Sequence, residues 1–297
     1  MPVTIVYAIA VWLICGFVAK GWWIQIGCFA LTTLLMVELN NMNVLIRVYS
    51  RMVSCAFLTM SCCASFLFPS AHEGIMITCM TVAYLILFQG YQDKMSMGKT
   101  FYAFFSIGLA SMAYVQTLFF VPVLWILMTT NLLSLSWRTW LASLIGIVTP
   151  YWFAACWMLH EGDFSLLFNH FSTLIDFQFP IDYSILTINQ KVTFLYFLIL
   201  AVIGAIHFSR RSYNDKIRIR MYFRIFILMD LLAATVIFLQ PQYFNGMLLL
   251  IIINTAPLIA HFIALTNTKV TNITFIVLVI LTFLLTVFNA WSTLSLS

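Results

Sequence analysis

Apolar residues fill this chain in blocks of about 17 to 22, separated by short polar breaks, and about 20 apolar residues in helical form cross the hydrocarbon core of a bilayer. A run such as GMLLLIIINTAPLIAHFIAL (246–265) does not alternate apolar and polar positions, as the strands of a transmembrane barrel do. The pattern predicts an all-α protein, a polytopic transmembrane bundle of about eleven spans. They fall near 3–18, 22–38, 52–68, 75–91, 101–115, 118–136, 139–159, 191–208, 224–239, 245–265 and 272–293. The first two are joined by only AKGW (19–22), which predicts a tight hairpin or a broken re-entrant element. The first run has no basic leader and no small-residue cleavage site, so it reads as a retained span. Without repeats, linkers or low-complexity tracts, residues 1–297 read as a single integral membrane domain.

Composition sharpens this picture. The chain is 63% hydrophobic and 8% charged, against about 25% charged in an ordinary soluble domain. All seven cysteines lie in apolar runs, where a thiol acts as a small hydrophobe, and none has metal-ligand spacing, so neither disulfides nor a metal or cofactor is expected.

Charge sets orientation. Six of the 14 basic residues fall within SRRSYNDKIRIRMYFR (209–224). With the amino terminus in the cytoplasm, every Lys and Arg except Lys20 and Lys191 lands on the cytoplasmic side, the bias that inner-membrane proteins show. The odd span count then puts the carboxyl terminus outside. Arg210, Arg211, Arg218, Arg220 and Arg224 also suit contact with anionic headgroups or a lipid phosphate. Partners are therefore the bilayer and, through it, a lipid-linked substrate or envelope-assembly proteins. A net charge of +5 dispersed over membrane loops offers nucleic acid no stacking platform.

Two segments hold candidate chemistry. The longest connection, EGDFSLLFNHFSTLIDFQFPIDYSILTINQ (161–190), predicts an interfacial helix capped by Asp163, with Phe164, Leu167, Phe168, Phe171, Leu174 and Ile175 forming one apolar stripe. Around it, His160, Glu161, Asp163 and His170, with Glu73 of another outward connection, are the acids and imidazoles available as general acid or base; the plainer alternative is a solvated polar face. Within the spans, Asp230 shares its predicted depth with a stripe of Asn254, Thr255, Pro257 and His261. A buried carboxylate needs a partner, so this cluster is either a proton or ligand site or an interhelical clamp.

Residues 98–152, GKTFYAFFSIGLASMAYVQTLFFVPVLWILMTTNLLSLSWRTWLASLIGIVTPYW, with the basic loop ending at Arg224, resemble a family of uncharacterised multi-pass inner-membrane proteins of Bacteroidota. More distantly, the same region is similar to the membrane half of GT-C glycosyltransferases, which use polyprenyl-linked sugars. That resemblance implies a catalytic acid in the first outward loop, and AKGW contains none. Three functions follow as expectations: a non-catalytic or GT-C-like component of cell-envelope biogenesis, a transferase using a lipid-linked sugar, or a transporter built on Asp230, Asn254 and His261.

Overall fold

The computed structural model describes residues 1–161, 165–177, 179–266 and 268–295, excluding the side chains of 159–161, 166 and 293–295. The described residues form thirteen α-helices and no strands. They are α1 (Pro2–Ile14), α2 (Phe17–Lys20), α3 (Trp23–Asn43), α4 (Met52–Cys63), α5 (Ala71–Phe88), α6 (Met97–Ala113), α7 (Phe120–Thr130), α8 (Trp137–Glu161), α9 (Ser165–Ser172), α10 (Ile188–Arg211), α11 (Ile217–Leu239), α12 (Phe244–Leu265) and α13 (Lys269–Ser295). Every apolar run named above has a helix as its main part, because a backbone among hydrocarbon must satisfy its polar groups within its own segment. Seven helices, α3, α5, α8, α10, α11, α12 and α13, are long and apolar enough to cross a membrane.

Boundaries depart from expectation at several places: the runs predicted at 3–18, 52–68 and 118–136 form helices of only 13, 12 and 11 residues, and two further differences lie at α2 and α11. The link between the first two spans is itself a helical turn, α2, set between Gly16 and Gly21 at φ 77° and 69°, the left-handed region that glycine enters without steric cost. α11 starts at Ile217, well before the predicted 224, and so takes Arg218, Arg220 and Arg224 into the helix. Long arginine side chains reach a headgroup layer from inside a span, which removes the need for a loop there.

The chain forms two compact units, one of residues 1–71 and 183–297, the other of residues 72–182. In the first, α12 is the axis. It is apolar nearly all round, as an interior helix is, and is buried from Phe244 to Phe262 except at Asn245 by α4, α10 and α11. A Cβ on Gly204 of α10 would stand 2.8 Å from Leu258 Cβ, so this glycine permits the close approach of α10 to α12.

Ring and hydrogen-bond contacts fix the helix directions in this unit. Phe208 stacks on Phe223 while Phe194 meets Phe238, so α10 and α11 are antiparallel. His207 faces His261 while Gly204 meets Leu258, so α10 and α12 are parallel. Thr193 accepts from Asn289 while Tyr196 meets Thr282, so α13 opposes α10. Arg51 touches Met1 and Thr4 touches Cys55, so α1 runs with α4. The starts of α1, α4, α11 and α13 thus share one end with the finishes of α10 and α12. That end holds Arg51, Arg210, Arg211, Lys216, Arg218, Arg220 and Lys269. Beneath α2 and α3, Trp12 stacks on Phe68 at 3.9 Å within a cluster that includes Val11, Leu58 and Cys62.

In the second unit α6 and α8 make the principal pair. A Cβ on Gly146 would come within 2.6 Å of Phe101 O, and one on Gly108 within 2.8 Å of Ile147 O, so two reciprocal glycines set the spacing. Trp125 of α7 donates to Ser143 of α8 at 3.0 Å.

Candidate functional site

The first unit carries a half-open cavity of about 450 Å³ bounded by α1, α4, α10, α12 and α13, with Val3, Val279 and Phe283 exposed at its mouth. Its wall is mainly Met, Leu, Ile, Val and Phe, with five hydroxyl groups, and each of those is already committed. Thr4 donates to Met1 O, Thr59 to Cys55 O and Thr282 to Leu278 O, while Tyr7 bonds Thr286 at 2.5 Å and Tyr196 bonds Thr282 at 2.6 Å. With its hydroxyls turned to its own structure, the wall offers an occupant a hydrocarbon surface. At the basic end Met1 also lines the cavity, and the Arg51 guanidinium lies against Met1 Sδ at 3.7 Å. Thioether sulfur is a weak acceptor, so this contact leaves the guanidinium's hydrogen-bonding capacity for an anion.

Beside the cavity runs a polar network on α13 that is absent from the sequence-based candidates. Asn289 donates to Cys63 O at 2.6 Å and to Thr193 Oγ1 at 2.8 Å, and Cys63 Sγ lies 3.3 Å from Thr286 Oγ1. A signal for it exists: Thr282, Thr286 and Asn289 recur at steps of four and three in an otherwise apolar run, hence on one helical face.

The intramembrane cluster divides into two levels. Thr255 Oγ1 donates to Asp230 Oδ2 at 2.9 Å, with Asn254 fully buried beside it on α12. His261, two turns further along, does not share that partner. Its Nε2 lies 3.0 Å from Oδ2 of Asp215, the one acid of the 209–224 run, and its ring is flanked by His207, Phe208 and Phe223. Of the arginines, Arg210 and Arg211 end α10, where cations complement the helix dipole. Arg218 and Arg220 occupy the first turn of α11, where the dipole disfavours them, and Arg224 follows in the second.

The candidates of the longest connection are only partly described. Asp163 and the side chains of His160 and Glu161 lie outside the described residues. His170 is on α9, with Nε2 2.9 Å from Ser111 O and 3.5 Å from the Tyr151 hydroxyl, and Phe171 packs on Tyr151. Glu73 sits in the first turn of α5. Among the described residues, no group of three His, Cys, Asp or Glu side chains is placed to hold a metal ion.

No protein-family model, curated protein or solved structure matches the chain.

Proposed function

We propose that this chain is a multi-pass protein of the bacterial inner membrane that binds the hydrocarbon chain of an anionic, lipid-linked molecule and serves envelope biogenesis by holding it, without turnover. The observation that carries this reading is the cavity: apolar, about 450 Å³, its hydroxyls internally satisfied, with Arg51 at its basic end. A polar solute would find no free hydrogen-bonding group on that wall. An acyl or isoprenoid chain needs none, and its charged head would meet Arg51. The arginines at the start of α11 support the same reading, since an anionic headgroup beside them would offset their unfavourable position at a helix N-terminus.

We place eleven spans in the membrane, with the amino terminus in the cytoplasm and the carboxyl terminus outside. The concentration of Lys and Arg at one end of the first unit supports that orientation. α1 and α13 also run the same way in that unit, which an odd number of crossings requires. The residues between α4 and α10 leave from and return to the same end, as four crossings by α5, α6, α7 and α8 would.

The test is mass spectrometry of lipids that copurify with the protein in mild detergent, paired with crosslinking by a diazirine-bearing acyl or isoprenoid phosphate. Labelling is expected on peptides from α1, α4 and α13, and Thr59→Trp, which obstructs part of the cavity, should weaken it. Undiminished labelling of the Thr59→Trp protein would overturn the reading. Lipid-linked glycans profiled in a deletion strain test the envelope role separately.

A further inference from the structure

Phe223 of α11 meets the His261 ring of α12 with 5.0 Å between centroids. One heptad along each antiparallel helix, about two turns, the same register brings Asp230 level with Asn254, and the bond from Thr255 to Asp230 fixes that level directly. Asp230 is 7% exposed and Asn254 0%. Yet Asp230 Oδ1 and both amide atoms of Asn254 have no hydrogen-bond partner in the protein among the described residues. Buried polar atoms are nearly always partnered, so three orphan atoms at one level of two packed helices call for an occupant; the two oxygens among them can ligate a cation, while the Asn254 Nδ2 group can only donate. Pro257, inside α12, adds a fourth group: it has no N–H to give to the Ile253 carbonyl, the backbone oxygen adjoining Asn254.

The charges around this level determine what fits. α12 carries no ionisable group except His261, which lies towards the basic end and is paired with Asp215. α10 carries His207 at the level of His261, and its Tyr196 hydroxyl is bonded to Thr282. On α11 itself the nearest cation is Arg224, six residues back and exposed. Ionised, Asp230 would bring one negative charge into an apolar interior with no cationic side chain at its depth among the described residues. One monovalent cation neutralises it, whereas a divalent ion would leave a net charge that the surroundings disfavour. The available ligands are all oxygen, from a carboxylate, an amide, a hydroxyl and a freed carbonyl, the set that suits a hard cation.

We propose that Asp230, Asn254, Thr255 and the Ile253 carbonyl form an intramembrane site for a single exchangeable monovalent cation, held either as a sodium ion or as a proton on Asp230. None of these residues lines the cavity, so the site stands or falls independently of lipid binding.

The experiment follows the melting temperature of the detergent-purified full-length protein. One arm exchanges N-methylglucamine chloride for NaCl at constant ionic strength; the other varies pH without sodium. For a sodium site the wild type gains stability saturably with Na+, Asp230→Asn shows no response, and Asn254→Ala needs about tenfold more Na+, the loss expected for one ligand. For a proton site Na+ has no effect and the wild type is stabilised on acidification through a component that Asp230→Asn lacks. Every titratable group other than Asp230 is common to both proteins, so the difference between them is the readout. Should Asp230→Asn fail to fold, Asn254→Ala and Thr255→Val carry the same comparison. Identical sodium and pH responses in wild type and variants would overturn the proposal.

Discussion

His261 Nε2 and Asp215 Oδ2 lie 3.0 Å apart with both side chains buried, and they tie the short connection between α10 and α11 to the end of α12. Phe208 and Phe223 pack across the imidazole, so water does not replace a lost partner. Asp215→Ala should therefore cost about 2 kcal/mol, the range for a hydrogen bond to a charged group. Asp215→Asn, which keeps an acceptor oxygen, should cost less. The double change Asp215→Ala with His261→Leu should cost less than the sum of the single changes, because it leaves no orphan imidazole. Thermal melts in detergent measure the stabilities, and faster tryptic cleavage after Arg210, Arg211 and Lys216 reports the released connection.

Glycine contacts in the second unit give a sharper structural test. A Cβ at residue 146 would face Phe101 O and Phe105 N at 2.6 and 3.0 Å, both backbone atoms that cannot swing aside. Gly146→Val should destabilise by about 2 kcal/mol or more through overpacking. A Cβ on Gly27 of α3 would meet nothing within 4 Å, so Gly27→Ala should be neutral or stabilising by up to about 1 kcal/mol through helix propensity. Equal melting temperatures for the two variants would refute the close α6–α8 packing.

Asn289 offers a third prediction. Its amide nitrogen bridges α4 and α10 from α13 by donating to Cys63 O and Thr193 Oγ1. Asn289→Leu is close in size and removes both bonds, and interhelical hydrogen bonds in membranes contribute about 1 kcal/mol. A loss of that order is expected, with Thr193→Val adding little on top because its partner is already gone. A large additional loss in the double variant would place the contribution of Thr193 elsewhere.

The helices were legible in the sequence because a hydrocarbon environment leaves the backbone few alternatives, and unbroken runs such as 246–265 declare themselves. Heptad spacing likewise put Asn254 and His261 on one face of α12. The partner of His261 was not legible. Asp215 lies in a basic run that reads as a charged loop, and only the packing of α10 and α11 against α12 folds it inward. The cavity was hidden for a related reason: it arises from how five helices fail to fill the space between them, which no one segment records. The α13 network was legible in its spacing but not distinctive, since threonines in a membrane helix ordinarily bond their own backbone, as Thr282 and Thr286 also do.

The last prediction concerns sidedness. α10 joins the capping box of Thr187 and Gln190 at one end to Arg210 and Arg211 at the other, so these ends should face opposite compartments. Dual phosphatase and fluorescent-protein reporters should show a cytoplasmic signal after Arg211 and an external one after Thr187. Because α13 opposes α10 in the first unit, a fusion after Ser297 should match the Thr187 fusion. Like signals from Thr187 and Arg211 would mean that α10 does not cross. Opposite signals with a cytoplasmic carboxyl terminus would instead remove one crossing from the path between α10 and the end of the chain. The positive charges give the experiment its control. Converting Arg218, Arg220 and Arg224 to Gln removes half of the cations between 209 and 224, and mixed topology at the Arg211 fusion is the expected result if those residues hold the orientation.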